Sequence, residues 1–110
     1  MEKKLTKKQL KRKEKRERNK KDKEWSLAIR VRDKCCVICG DKTKLNAHHI
    51  IPRENKDSRW LLENGVTLCV GCHKFRLNSA HRNPFWFFNQ IKDRITKLEN
   101  KIDKLIKNEK

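Results

Sequence analysis

The chain has 110 residues, enough for one domain, but only 35% are apolar and 41% are charged. Ordinary globular domains run near 45–50% apolar and about 25% charged, so a single core shared by all 110 residues is excluded and a small compact unit with charged extensions is expected. The net charge of +17, from 31 Lys+Arg against 14 Asp+Glu, favours polyanions through release of condensed counterions; no run of about 18 apolar residues is present to span a bilayer.

Residues 1–24 hold 13 Lys/Arg and 5 Asp/Glu, with Leu5 and Leu10 the clear apolar positions after Met1. Lys, Arg, Glu and Gln favour helix without needing to pack. This segment therefore reads as a solvated basic arm that adds phosphate affinity and carries no base-reading device. No apolar leader segment is visible in it. From Glu24 the pattern changes. Trp25, Ala28 and Ile29 recur at helical spacing, and Leu27 and Val31 widen the stripe. A helix of about ten residues is expected there, stopping near Asp33-Lys34.

Cys36-Val37-Ile38-Cys39-Gly40 follows as a tight turn, in which the glycine gives the backbone freedom to approach two sulfurs. Leu45 to Ile51 reads as a short strand ended by Pro52, and residues 53–59 as a polar loop. Trp60-Leu61-Leu62 is expected to turn back onto the core, and Asn64-Gly65 is a strong turn signal. Val66-Thr67-Leu68 reads as a second strand leading into Cys69-Val70-Gly71-Cys72-His73, with a helix starting there and running to Leu77. The last segment has Asn83 as N-cap and Pro84 at the first helical position. Phe88, Ile91, Ile95, Leu98, Ile102 and Leu105 then form a regular apolar stripe. That stripe packs either on its own chain or, through residues 88–105, on a second copy or another protein. The domain division is thus a basic arm (1–24), a compact unit (25–82) and an amphipathic C-terminal helix (83–110).

Cys36 and Cys39 are separated by 29 residues from Cys69 and Cys72, and each pair has an x2 spacing. In a chain with no visible secretion signal such cysteines are expected to be reduced and to bind metal. Four thiolates so arranged match one closed, structural, tetrahedral zinc site. Cys35 would substitute for Cys36 only through an x3 spacing, so the symmetric pairs are preferred and Cys35 reads as a small, partly buried side chain. A four-cysteine site leaves its zinc no open position, so any reactive metal must sit elsewhere. Adjacent residues of a strand face opposite ways, which separates His48 from His49. The zinc would bring His73 beside the His48 strand, where two imidazoles can hold a second divalent ion.

The order Cys-x2-Cys, Ala47-His48-His49-Ile50-Ile51-Pro52, then Asn64-Gly65-Val66-Thr67-Leu68-Cys69-x2-Cys72-His73 resembles the HNH endonucleases over about residues 25–82. The resemblance implies a small α+β, zinc-stabilised ββα-metal core, flanked here by the basic N-terminal helix or arm and the long amphipathic C-terminal helix. It also implies a metal-dependent endonuclease acting on DNA, with nicking and double-strand cleavage both open. Carried over by position, His48 and His73 hold the catalytic divalent metal (Mg²⁺, Mn²⁺, Ni²⁺ or Zn²⁺). His49 is the general base, and Asn64 steadies the loop or orients that base. Arg76, three residues past His73, and Arg53 are the candidate nucleic-acid contacts, Arg76 through the bidentate geometry of guanidinium. Some family members carry a further metal-binding histidine four residues after the last one, where this chain has Leu77. His81, eight residues after His73, reads as a helix-end residue. The competing reading is a non-catalytic, zinc-ribbon-like module that binds nucleic acid through charge. The expected setting is cytoplasmic, in a bacterial or phage-infected cell, by analogy with small proteins of this family.

Overall fold

The computed structural model describes residues 4–108. The elements run α1 (Lys7–Asp33), β1 (Leu45–His49), a short 3-10 turn (Leu62–Asn64), β2 (Gly65–Cys69), a single π-helical turn (Gly71–Phe75), α2 (Pro84–Gln90) and α3 (Lys92–Asn108). This is a small α+β fold with a two-stranded sheet and flanking helices.

Helix α1 passes without a break through residue 24, so the basic arm and the Trp25 stretch form one rod. Its start is fixed by a capping box: the Thr6 hydroxyl accepts from the Gln9 N–H, and the Gln9 side chain accepts from the Thr6 N–H. It ends at Lys34, whose left-handed backbone (φ 66°) lets its N–H reach the Arg30 carbonyl. Residues 7–21 are exposed all round. Packing begins at Asp22, and only Trp25 and Ile29 are buried. Ala28, Leu27 and Val31 face solvent, so the buried stripe is narrower than expected: the helix meets the sheet along one line. Burying each of those two large side chains contributes roughly 1.5–3 kcal/mol.

The strands pair antiparallel, with Leu45 opposite Cys69, Ala47 opposite Thr67 and His49 opposite Gly65. All five residues of β2 are buried, whereas β1 is half-buried. The first strand stops at His49 rather than Ile51. There the Ile50 N–H turns to the Asn64 carbonyl, and the Ile51 N–H turns to the Asn64 side chain.

The core gathers Cys36, Val66, Leu68, Cys69, Cys72, Ala80, Phe87 and Ile91. The helix expected over residues 73–77 is only the π turn; Arg76 beyond it is extended, and Leu77 is exposed. The expected Asn83 cap and Pro84 start are present, with the Asn83 side chain accepting from the Trp86 N–H. The chain then bends at Ile91 (φ −118°, ψ 30°), which splits the expected C-terminal helix in two. The bend changes the phase of the stripe. Phe87 is buried where Phe88 was expected, Ile91 and Leu98 are buried, and Leu105 and Ile106 are exposed. The first part of the stripe is therefore used within the chain. Among the described residues, no helix is long and apolar enough to cross a membrane.

Candidate metal centre and histidine cleft

Cys36, Cys39, Cys69 and Cys72 converge, with their four sulfurs all within 4.8 Å of one another. The Sγ atoms of Cys39 and Cys69 lie 3.6 Å apart, close to the roughly 3.8 Å edge of a tetrahedron with 2.3 Å Zn–S bonds. Gly40 supplies the left-handed turn (φ 80°) after the first pair, and the Cys72 N–H points at the Cys69 sulfur at 3.4 Å. Burial pushes the Cys36 thiol up, but backbone N–H groups around it prevail and bring it down to about 7. Burial and neighbouring thiols push Cys72 well up. Four thiols this close cannot ionise together without a cation among them, so the donor set fits the expected structural zinc. Cys35 stays outside the cluster, half-buried.

Beside this knuckle lies a cleft of about 640 Å³ whose lining includes His48, His49, Arg53, His73, Lys74 and His81. Strand alternation sends the two adjacent imidazoles apart, as expected. The His48 ring meets His73, His81 and Phe87 edge-on, while the His49 ring stacks on Trp25 of α1, with centroids 3.9 Å apart and planes 9° from parallel. His73 Nε2 lies 3.1 Å from His48 Nδ1 and 2.9 Å from His81 Nε2.

His81 is the residue that spacing alone set aside. It arrives because the chain after the π turn folds back, with the Ala80 N–H on the Cys72 carbonyl and the His81 N–H on the His73 carbonyl. No local signal marks this, since an eight-residue separation suggests two helical turns and the helix is absent.

The three-imidazole cluster fits a divalent ion. One ring nitrogen makes one hydrogen bond, so two close contacts on His73 Nε2 leave a mismatch that a shared cation removes. Burial lowers His48 to about 3, with the crowding of the other imidazoles adding to it, and lowers His73 to about 4, with His81 and the charge of Lys74 adding. Both rings are therefore neutral and have lone pairs to offer at physiological pH. Among the described residues His73 Nδ1 is buried without a partner, and none of them fixes that ring's tautomer through this atom.

His49 is held differently. Its Nε2 lies 2.9 Å from the Arg59 carbonyl oxygen, which can only accept, so Nε2 carries the ring proton. Nδ1 is left as a free acceptor, with no protein partner among the described residues. Burial lowers the His49 pKa, partly offset by the Arg59 carbonyl and the charge of Asp22. Asn64 is fully buried under the same loop. Its Oδ1 accepts from the Ile51 N–H at 2.7 Å, and its Nδ2 donates to the Ile51 and Ser58 carbonyls at 3.1 Å each. It ties both ends of residues 51–58 together.

The two expected arginines separate. Arg53 lines the cleft. Arg76 does not share a helix face with His73; its guanidinium lies 3.4 Å from the Cys72 sulfur, beside the cysteine cluster. The early end of the π turn redirects it, and its charge is held by the neighbouring thiols.

No curated protein and no solved structure compared with the chain gives a match. Residues 36–78 match the family model described as HNH endonuclease, a family that generally comprises nucleases and implies nucleic-acid binding. That stretch covers both cysteine pairs, His48, His49, Asn64 and His73, and over it the chain is similar to the HNH endonuclease family.

Proposed function

We propose that the protein is a metal-dependent endonuclease that hydrolyses phosphodiester bonds of DNA, with His49 as general base. The observation that supports this most directly is the division of labour in the cleft. Three imidazoles (His48, His73 and His81) converge on one point, while His49 is anchored by its Nε2–H and keeps Nδ1 open. A charge-binding zinc module needs neither.

In this reading Nδ1 of His49 takes a proton from water as the water oxygen bonds to phosphorus, and the bond from phosphorus to the 3′ oxygen breaks. That oxygen takes a proton from solvent water, giving 5′-phosphate and 3′-hydroxyl ends. A ring held neutral by burial is ready to accept that proton at neutral pH. The ion held by His48, His73 and His81 would supply charge stabilisation at the phosphate and the leaving oxygen. Arg53 and Lys74, on the cleft wall, hold the phosphodiester in place. Asn64 keeps the loop that carries the base's anchor closed. The thiolate cluster fixes β1 against β2 and takes no part in the reaction. Cysteines arranged to hold a metal suit a reducing compartment, and by analogy with small proteins of this family we place the chain inside a bacterial or phage-infected cell.

The test is incubation of supercoiled plasmid with the zinc-loaded protein and Mg²⁺, Mn²⁺ or Ni²⁺. Nicked or linear product is expected with at least one metal. His49→Ala should cut roughly 10²–10⁴ times more slowly, the usual worth of a general base. Absence of cleavage with every metal, or a His49→Ala protein as active as the parent, returns the chain to the binding-module reading.

A further inference from the structure

Three side chains of α1, all outside residues 36–78, grip the loop that holds the base. The Asp22 carboxylate binds the Arg59 guanidinium twice, at 2.9 and 2.6 Å, and accepts from the Trp60 indole at 2.8 Å. The Trp25 indole N–H donates to the Leu61 carbonyl at 2.8 Å, and its ring covers one face of His49. Arg32 donates to the Leu62 and Gly65 carbonyls at 2.8 and 2.7 Å. Asn64 fastens the same loop from beneath.

Among these contacts one stands in line with the base. Arg59 is the residue whose carbonyl holds His49 Nε2–H, and Asp22 fixes Arg59 by two parallel charge-assisted bonds. Both partners are half-buried, with side-chain exposures of 17% for Arg59 and 27% for Asp22. With the neighbouring Trp60 indole tied to the same carboxylate, Asp22 holds residues 59 and 60 together against α1 and limits how far the Arg59 carbonyl can shift. Trp25 completes the seat, because the stacked ring leaves the imidazole no room to flip towards α1.

We propose that Asp22 is a positioning residue for His49: by locking Arg59, it keeps the Arg59 carbonyl on Nε2–H and so keeps Nδ1 turned into the cleft. The proposal rests on the assignment of His49 as base. It adds a residue of the N-terminal helix to the site, and it gives that helix a task besides attraction to polyanions.

The experiment uses the full, zinc-loaded chain as parent, Asp22→Asn, Asp22→Glu, Arg59→Ala and His49→Ala. Each is assayed for kcat and KM on plasmid DNA, and His49 is read by long-range ¹H–¹⁵N correlation. The parent is expected to show the Nε2–H tautomer. Asp22→Asn and Arg59→Ala should both lower kcat by roughly ten- to a hundredfold, the scale of a misaligned reacting group. KM should stay within about twofold, since neither residue binds the phosphate directly. Both variants should show mixed His49 tautomers, and Asp22→Glu should restore part of kcat. A parent-like kcat and tautomer in Asp22→Asn overturn the proposal. So does a loss of kcat that only follows the folded fraction measured by melting and zinc content. Where the parent itself cuts no DNA, the endonuclease reading fails, and the tautomer of His49 alone decides what Asp22 does.

Discussion

The Nε2 atoms of His81 and His73 lie 2.9 Å apart although eight residues separate them, because backbone hydrogen bonds fold residues 80–81 back onto 72–73. A third imidazole thus stands where two were expected. His81→Ala should weaken Ni²⁺ or Mn²⁺ binding in the cleft by at least about tenfold, since the loss of an outer-shell partner alone costs that much. Calorimetric titration into the zinc-loaded protein measures it. Zinc content should stay near about one per chain, because the cysteine cluster is a separate site. An unchanged affinity would reduce the cleft site to two imidazoles.

At Gly65 the side chains of α1 lie directly on the sheet. A Cβ there would lie 2.5 Å from Trp25 Cζ2 and 2.6 Å from Ile29 Cδ1, so these two packed side chains must shift to admit one. Its backbone is ordinary extended (φ −126°), and the objection to a side chain is space alone. Gly65→Ala should cost about 1–3 kcal/mol, as overpacking of a tight contact does, measured by urea unfolding. Because the same helix carries Trp25, DNA cleavage should fall further than the remaining folded fraction explains.

Acid should weaken the fold through Asp33. Burial pushes this carboxyl up, but the Arg32 side chain, the Thr67 N–H and the charges of Arg32 and Arg94 outweigh it and hold the pKa below its ordinary value. A lowered folded-state pKa means stability that is present above the unfolded value of about 3.9. It is lost as pH falls through the folded value. The difference in melting temperature between the parent and Asp33→Asn should therefore be constant above about pH 5 and shrink below about pH 4. Taking the difference removes the contribution of thiol protonation at the cysteines, which both proteins share.

The C-terminal stripe divides at Leu98. This residue is buried (3% exposed), whereas Leu105 is 37% exposed. Leu98→Ala should cost about 2–5 kcal/mol by leaving a cavity. Leu105→Ser should change stability by less than about 0.5 kcal/mol. Urea unfolding at two protein concentrations checks both. A large, concentration-dependent effect at Leu105 would show that the last turns pair with another copy.

Much of the site was legible because its chemistry is local. The x2 cysteine pairs, the adjacent histidines and Asn64-Gly65 carry their meaning in spacing, and the strand period separates His48 from His49 before any coordinates are known. Asn83-Pro84 announced α2 for the same reason. What escaped depends on long-range geometry. Arg76 and His81 were read as if a helix continued past His73; once the π turn ends at Phe75, Arg76 swings to the thiols and His81 returns to the cleft. The burial of Phe87 in place of Phe88 follows from the bend at Ile91, which no turn residue marks. Asp22 looked like one more charge in a solvated arm, because its partners Arg59 and Trp60 lie 37 and 38 residues away.

The loop between the strands is gripped largely through its main chain. Trp25 and Arg32 take the carbonyls of Leu61, Leu62 and Gly65, and Asn64 takes those of Ile51 and Ser58. Such attachments prescribe a path and are indifferent to the letters written along it. Residues 53–57 are exposed on that path, next to the cleft through Arg53 and Glu54. Apart from Asn55, whose side chain accepts from the Asp57 and Ser58 N–H groups, their identities can drift, or be chosen in the laboratory, without unseating His49. This short surface is thus the natural place to retune which nucleic acid the protein prefers.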